Sequence, residues 1–205
     1  MSPPISTDEK QGPAFRGSRL SRSAKPEPRD LEKTSLLRGY AHTQFSNTLH
    51  KFWVLRNMLF FCLNHYRCAA DDRSLKLYLI VIYRGLRHDL SKYRWSEAKY
   101  FARTICRLKV AEYGSPEYQQ MLADLQPCLC LHYSRNRHHP EHHQHGIEDM
   151  NRYDLIEMIA DWGAATRRSA NGDLKVSIQR NSERFGYDQQ MVMLLTDEAE
   201  LMGLV

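Results

Sequence analysis

The chain carries histidines whose positions suit metal binding. Six of its ten histidines lie between His132 and His145, and another belongs to the adjacent pair His88–Asp89. An imidazole and a carboxylate that are neighbours at a helix end can bind the same ion. His132 and His139 are seven residues apart, although Pro140 disfavours helical geometry at His139. Metal binding is therefore the first chemistry to consider.

Three acidic residues share one face of a predicted helix. Asp154 and Asp161 are seven residues apart, so their side chains lie within about 20° of each other, with Glu157 one turn from either. The residues around them are largely apolar. A carboxylate in such surroundings must be solvated, paired or bound to a metal, because a bare buried charge is very costly.

Two imidazoles and two carboxylates from different helices would form a mixed ligand set. Nitrogen and oxygen ligands together suit Mn²⁺, Fe²⁺, Co²⁺ or Mg²⁺ better than the closed tetrahedral sites of structural zinc. Such an ion lowers the pKa of bound water and polarises a phosphoryl oxygen. The residues that would supply this set are His50, His88, Asp89 and Asp161.

The elements that must position these residues are predicted to be helices. The only segment that resembles a strand, Leu77–Tyr83, has no second strand to pair with, so a buried helix is preferred. The first helix carries a broad apolar stripe formed by Leu49, Phe52, Trp53, Leu59, Phe60 and Leu63. The predicted helices cover Ser46–Tyr66, Ser74–Arg87, Trp95–Glu112, Pro116–Arg137 with a kink at Pro127, Asn151–Ser169, Asp173–Arg184 and Tyr187–Met202, and His138–Met150 is a loop. The sequence thus predicts an all-α bundle of six or seven helices.

Composition and charge exclude several classes of protein. The chain is 42% hydrophobic and 26% charged, and no apolar run approaches the 18 or more residues of a membrane span. Of the net charge of +5, residues 1–38 contribute +3 and the remaining residues only +2. No basic stripe with interleaved aromatic residues is present, which disfavours nucleic acid as the partner.

The N-terminal segment differs from the rest of the chain. Five of the eight prolines fall within the first 28 residues, among serine, glycine and arginine, so residues 1–35 are predicted to be a disordered basic tail and residues 36–205 a helical domain. The five cysteines include no CxxC pair, which favours reduced thiols. The expected location is the cytoplasm.

The order of these residues resembles a known signature. His50, then His88–Asp89, then Asp161 is similar to the H…HD…D signature of the HD-domain metal-dependent phosphohydrolases, and the HDLSK segment looks like the HDxGK run of their HD-GYP branch. The closest likeness is to an uncharacterised HD-like family of phage and bacterial proteins. It covers roughly residues 45–200 and rests on the segments HDLSKY, HYSRNRHHPEHH and DLIEMIADW.

The resemblance implies a helical fold with a central metal site of one or two ions. By family, the first ion would be held by His50, His88, Asp89 and Asp161. A second would be held by His132 together with His138 or His139. Lys92 would face a phosphate oxygen. Ser91 replaces the usual glycine of HDxGK and the GYP segment is absent, so hydrolysis of cyclic dinucleotides is not implied.

Other assignments remain open from the residues alone. Asp89 could cap the backbone amides of Ser91 or Lys92 instead of binding a metal. His42 competes with His50 as the ligand on the first helix. The alternative for Asp161 is an ion pair with Arg167 or Arg168. Groups that orient a ligand imidazole are expected at Asp154 and Glu157, phosphate-binding guanidiniums at Arg135 and Arg137, and surface imidazoles at His142, His143 and His145.

The leading functional hypothesis is a metal-dependent phosphohydrolase that cleaves a nucleotide-like phosphate ester with a metal-activated water. Its cofactor would be one or two ions of Mn, Fe, Co, Ni or Mg, and Asp89 and Lys92 would be its catalytic residues. The alternative is a non-catalytic helical module whose metal site is structural and which binds a protein partner. A homodimer is compatible with either hypothesis.

Overall fold

The computed structural model describes residues 28–69, 74–108, 115–168 and 172–205. Within these ranges the chain forms seven α-helices and no strand, which confirms the all-helical prediction. The helices are α1 (Pro28–Cys68), α2 (Leu75–Arg87), α3 (Trp95–Leu108), α4 (Pro116–Arg135), α5 (Arg152–Thr166), α6 (Leu174–Phe185) and α7 (Gln189–Leu201). Short 3₁₀ turns cover Leu90–Tyr93, Pro140–His142 and Gly146–Asp149.

Polar caps explain where several helices begin. The side chain of Asn151 accepts a hydrogen bond from the Asp154 amide, and the Asp154 carboxylate accepts one from the Asn151 amide, which forms a capping box at the start of α5. Asp173 and Asp188 cap α6 and α7 by accepting a hydrogen bond from the amides of Val176 and Met191, without the reciprocal bond of a capping box. Gly186 ends α6 at φ 71°, a conformation that favours glycine. The predicted start at Asn151 is confirmed.

The longest helix extends beyond its predicted limits. α1 begins at Pro28 rather than Ser46, so residues 28–35 are helical where the sequence predicted the end of a tail. Residues 1–27 of that predicted tail lie outside the described residues, as do residues 109–112 and Ser169 at the predicted ends of two other helices. The segment Leu77–Tyr83 lies inside α2, as predicted.

α1 packs through the middle of the bundle, against α2, α3, α5 and α7. Its buried residues Val54, Met58 and Phe61 meet Ile156 and Ile159 of α5 in the main core. A smaller cluster joins α3 to α4. Because α1 and α5 lie side by side, polar residues on their facing surfaces are brought together inside the protein.

The core face of α1 is not the face that the sequence indicated. Five of the six residues of the predicted stripe are 39–57% exposed: Leu49, Phe52, Leu59, Phe60 and Leu63. Val54 and Phe61, on the opposite side, are fully buried. Apolar residues occupy two opposite faces of this helix, so their periodicity does not select the buried one.

Candidate metal centre

A buried cluster of imidazoles and carboxylates lies where α1, α5, the end of α2 and the loop after α4 meet. The structure brings together the residues that the sequence predicted as ligands: His50, His88, Asp89, His132, His138, His139 and Asp161. Lys92, in the turn Leu90–Tyr93, contacts Asp89. Four overlapping groups of three of these side chains, one including Glu157, have potential ligand atoms within 4.8 Å of one another.

Asp161 joins histidines of two different helices. Its Oδ1 lies 2.7 Å from His50 Nε2 and 3.7 Å from His88 Nε2. The Nε2 atom of His88 is also 3.4 Å from Asp89 Oδ2. Asp161 therefore pairs with His50, and not with Arg167 or Arg168. His42 is exposed on α1, which leaves His50 as the histidine of this helix that reaches the cluster.

Asp89 faces the second half of the cluster. Its Oδ1 lies 3.4 Å from His132 Nε2 and 3.6 Å from His138 Nε2. His139 completes this side, with its Nε2 3.0 Å from His132 Nε2. The sequence left His138 and His139 as alternatives, and both lie in the cluster, within reach of Asp161.

Asp89 has an unusual backbone conformation. Its φ of 52° places it in the left-handed region, where it is the only residue other than glycine among those described. This conformation costs about 1 kcal/mol or more for most residues, although aspartate tolerates it better. Its carboxylate forms no hydrogen bond to cap the turn Leu90–Tyr93, so the capping interpretation is not supported. The backbone instead turns the carboxylate towards the histidines.

Two buried carboxylates orient the imidazoles. Glu157 Oε1 lies 2.9 Å from His88 Nδ1 and 3.1 Å from His138 Nδ1, and Glu97 Oε2 lies 3.0 Å from His132 Nδ1. An ionised carboxylate only accepts hydrogen bonds, so each ring donates from Nδ1 and presents an Nε2 lone pair to the cluster. Metal-binding histidines are typically held by such partners.

Glu97 was missed in the sequence. It is completely buried in the first turn of α3, where Ser91 and Arg135 also contact its carboxylate. The available signal was its position one turn before Phe101 on the apolar face of α3. Its partner His132 is 35 residues away, so spacing along the chain gave no indication of the contact.

Arginines hold the outer carboxylates in place. Arg84 donates to Glu157 Oε2 over 2.8 Å and to Asp154 Oδ1 over 2.7 Å. Glu157 thus contacts two of the imidazoles that the sequence predicted as ligands. Asp154, for which the same orienting role was predicted, instead contacts Arg84, Arg137 and the Asn151 amide. Arg137 contacts Asp154 Oδ2 at 3.1 Å. Arg135 and Arg137, predicted to bind phosphate, therefore each have a carboxylate partner within the protein.

Four atoms of the cluster residues are buried and lack a hydrogen-bond partner. One is His50 Nδ1, on the ring whose Nε2 faces Asp161, and the other three are His88 Nε2, His138 Nε2 and Asp89 Oδ1. Leaving a buried polar atom unpaired costs about 1–3 kcal/mol, so such atoms call for an explanation. Asp89 Oδ1 lies 3.6 Å from His138 Nε2, and His88 Nε2 lies 3.4 Å from the other oxygen of the same carboxylate. These three atoms are all electron-pair donors when the imidazoles are neutral. This donor set fits a divalent cation.

The electrostatics of the cluster favour the same interpretation. Burial lowers the pKa of His50 and of His132, and burial together with the nearby His138 lowers the pKa of His139 to about 2. Burial opposes ionisation of Asp161, but its hydrogen bond from His50 and the charges of neighbouring histidines bring its pKa below the usual value. Neutral imidazoles, as at His50, His132 and His139, beside an ionised carboxylate are the forms that bind metals. His88 differs, because Asp89 and Glu157 outweigh the effect of burial and raise its pKa, so a metal would have to displace a proton from this ring.

Lys92 keeps its charge inside the cluster. Burial alone would lower its pKa, but the adjacent Asp89 and Asp161 carboxylates raise the pKa above its ordinary value. Burial alone would raise the pKa of Asp89. The charges of His88 and Lys92 outweigh this effect of burial and hold the pKa of Asp89 well below the usual range. The two residues therefore form a charged pair, joined by a hydrogen bond from Lys92 Nζ to Asp89 Oδ2.

The remaining histidines of the loop lie outside the cluster. His142 Nδ1 and His143 Nε2 contact the backbone carbonyl oxygens of Tyr133 and Arg137, each at 2.9 Å, and His145 pairs with Asp149. Of the three, which the sequence predicted as surface imidazoles, His145 is exposed, and His142 and His143 are partly buried.

Fold and site together define an all-helical protein with a buried centre of imidazoles and carboxylates. The chain belongs to DUF5662, a family of unknown function, whose family model matches residues 41–202 and so includes every residue of the cluster. The predicted membership of an uncharacterised family is confirmed, while the relationship to HD-domain proteins stays a prediction. No curated protein and no solved structure matches the chain. In the part of the chain that is described, no helix combines the length and apolar character needed to cross a bilayer.

Proposed function

We propose that this protein is a metal-dependent phosphohydrolase that acts on a nucleotide-like phosphate ester. The observation that supports the proposal is the convergence of His88 Nε2, His138 Nε2 and Asp89 Oδ1, all buried and unpartnered, beside the charged amine of Lys92. Packing alone does not explain why electron-pair donors converge in this way. A bound cation would explain the donors, and an anionic substrate would explain the amine beside them.

The residues would form two ligand groups, the first of which contains both Asp89 and Asp161. His50, His88, Asp89 and Asp161 would hold one ion of Mn, Fe, Co, Ni or Mg, and a second ion would be held by His132 with His138 or His139. Such an ion supplies Lewis acidity and lowers the pKa of bound water. The orienting contacts of Glu157 and Glu97 keep the ligand lone pairs aimed at the centre.

Lys92 is the residue best placed to act on the substrate. Its side chain is 21% exposed while that of Asp89 is only 4% exposed, so the amine lies at the edge of the cluster and the carboxylate inside it. The amine stays protonated at neutral pH because Asp89 and Asp161 raise its pKa. It can therefore donate a hydrogen bond to a phosphoryl oxygen and stabilise the charge that develops there.

A second candidate function is a non-catalytic module with a structural metal that binds a protein partner. The exposed apolar residues of α1, opposite its core face, favour this alternative because contiguous apolar surface often marks an interaction site. The two functions differ in turnover. A structural metal gives tight binding and no hydrolysis, whereas a catalytic centre gives both.

The test combines metal content with hydrolysis. Tag-free wild-type protein, Asp89→Asn and Lys92→Gln are purified in parallel with Asp197→Asn, a control at an exposed aspartate of α7. Bound metal is measured by elemental analysis, and phosphate release from nucleoside monophosphates and p-nitrophenyl phosphate is measured with each candidate ion.

We expect near-stoichiometric metal and turnover in the wild type and in the control. Asp89→Asn should lose both. Lys92→Gln should keep the metal while its rate falls by about 10²–10³, the usual effect of removing one group that stabilises the transition state. Metal without hydrolysis in any protein would favour the structural alternative. No bound metal and no gain in melting temperature on adding divalent ions would refute the metal centre itself.

A further inference from the structure

A cavity of about 700 Å³ lies next to the metal centre, and arginines dominate its wall. The apolar part of the wall comes from Tyr83 and Leu90. The five arginines come from α2, from the segment between α2 and α3, from the end of α4 and from the loop after it. They are Arg84, Arg87, Arg94, Arg135 and Arg137.

The positive charges of this wall are only partly compensated within the protein. Glu157, Asp154 and Glu97 are the carboxylates that pair with its arginines, so five guanidiniums face three carboxylates. Glu157 also accepts hydrogen bonds from two imidazoles.

The uncompensated charge resides mainly on two residues. Among the described residues, no carboxylate forms an ion pair with Arg87 or Arg94, and both are exposed residues of the cavity wall. Arg87 lies over the ring of Tyr83, 5.5 Å from its centroid. Arg137 is half exposed and pairs with Asp154 through a single nitrogen, so the rest of its guanidinium is available to a ligand.

The cavity is separate from the metal-binding face. Its wall includes His138 and Glu157, but not Asp89, Lys92 or Asp161. Glu157 stands between the two sites, because its Oε2 contacts Arg84 and its Oε1 contacts imidazole Nδ1 atoms, whose rings direct Nε2 the other way. A ligand in the cavity therefore lies behind the orienting carboxylate and not among the metal ligands.

We infer that this cavity binds a phosphorylated small molecule that carries at least two negative charges, such as an oligophosphate. Planar guanidiniums match the paired oxygens of phosphate, and several of them converging on one cavity suit a compact and multiply charged anion. The volume lies within the range of small-molecule sites. The inference does not depend on the proposed hydrolysis, because none of the groups that carry it belongs to the metal-binding face.

Pyrophosphate is the probe for the test, with the full chain prepared free of metal. The protein is stripped of metal and then transferred to buffer treated with a chelating resin, because a dissolved chelator is itself an anion that would compete for the arginines. Binding is measured by titration calorimetry at about 0.15 M salt, where non-specific surface attraction is screened.

Three variants separate the possible sites. Arg87→Gln with Arg94→Gln removes the two uncompensated charges. Arg38→Gln with Arg180→Gln removes the same charge from exposed positions on α1 and α6 and is the matched control. Asp89→Asn tests the metal centre. Melting temperatures of all variants establish that each is folded.

We expect pyrophosphate to bind the wild type, the control and Asp89→Asn with similar affinity, and the cavity variant at least tenfold more weakly. Equal affinity in the cavity variant and the wild type, or no binding to the wild type, would overturn the inference. Affinity that falls in Asp89→Asn but not in the cavity variant would also overturn it, because the anion would then occupy the metal centre.

Discussion

Glu157→Gln is the substitution that most directly tests how the centre is organised. The Glu157 carboxylate accepts hydrogen bonds from His88 Nδ1, His138 Nδ1 and Arg84 Nε over 2.8–3.1 Å. Glutamine has nearly the same shape but presents an amide NH₂ in place of one oxygen. A ring nitrogen that faces this NH₂ must accept, so its proton moves to Nε2 and blocks the lone pair that would bind a metal.

The expected magnitudes follow from these contacts. Hydrogen bonds to charged groups contribute about 1.5–3 kcal/mol each, and glutamine keeps one acceptor oxygen for the three donors, so we expect the free energy of unfolding of the metal-free protein to fall by about 2–4 kcal/mol. Metal affinity should fall about 10–100-fold, as for other residues that orient metal ligands. Urea unfolding gives the first quantity, and titration with Co²⁺ followed by its visible absorption gives the second.

Glu198→Gln is the matched control for this experiment. Glu198 is another buried glutamate, on α7, where burial raises its pKa and Arg152 contacts it at 3.1 Å. It lies outside the cluster, so its substitution should leave the Co²⁺ affinity unchanged. If Glu157→Gln binds Co²⁺ within twofold of the wild type, or if both variants lose affinity equally, the proposed orienting role is refuted.

Three further predictions concern the backbone, the pH dependence and the thiols. Because Asp89 has a φ of 52°, which glycine adopts without strain and alanine does not, Asp89→Gly should be about 1 kcal/mol more stable than Asp89→Ala in urea unfolding. Equal stabilities of the two variants would contradict this prediction. Burial and the nearby His138 lower the pKa of His139 to about 2, so between that value and 6.5 the unfolded chain binds a proton that the folded protein does not. The metal-free protein should therefore lose about 1.4 kcal/mol from this residue between pH 7.5 and 5.5. The pKa of His88 is raised and acts in the opposite direction, so the measured quantity is the difference in pH dependence between wild type and His139→Gln, and no difference would refute the prediction. Burial raises the pKa of Cys128 from 9.0 to about 11, which lowers its thiolate fraction about a hundredfold. Iodoacetamide at pH 8 should thus label exposed Cys130 at least a hundredfold faster by peptide mass spectrometry, and similar rates would contradict the burial of Cys128.

The sequence predicted those features that depend on neighbours along the chain. The start of α5 followed from Asn151, whose capping side chain is three residues from its partner. The shared face of Glu157 and Asp161 followed from helical periodicity, and both residues reach the cluster. His132 and His138 were predicted from the resemblance to the family's ordered motifs. Helical periodicity could not place them together, because His132 lies near the end of α4 and His138 lies in the loop that follows.

The features that the sequence did not reveal depend on contacts between distant residues. Arg84 reaches Glu157 across 73 residues, and Glu97 reaches His132 across 35, so neither pair has a local signature. The buried face of α1 was also misassigned. Leu59 and Phe61 are both apolar and lie on opposite sides of the helix, and only packing against α5 and α7 decides which is covered.

The cost of the cluster to the folded protein is the strongest reason to propose a ligand for it. Replacing such a buried charged network with apolar residues of similar volume often leaves the stability of a protein unchanged or increases it. The chain instead holds Asp89 in a left-handed conformation and leaves its Oδ1 without a hydrogen bond. It also places the imidazole Nε2 atoms of His88 and His138 at 3.4 and 3.6 Å from the two oxygens of this carboxylate. Each of these features destabilises the protein alone, and a cation bound at the centre, as proposed, would offset all of them together. Binding of a ligand to the folded state alone stabilises it by an amount that grows with the ratio of ligand concentration to Kd, about 4 kcal/mol at a thousandfold excess over Kd. A metal-binding protein should therefore show a large rise in melting temperature with one of the proposed ions, and Asp89→Asn should abolish most of that rise.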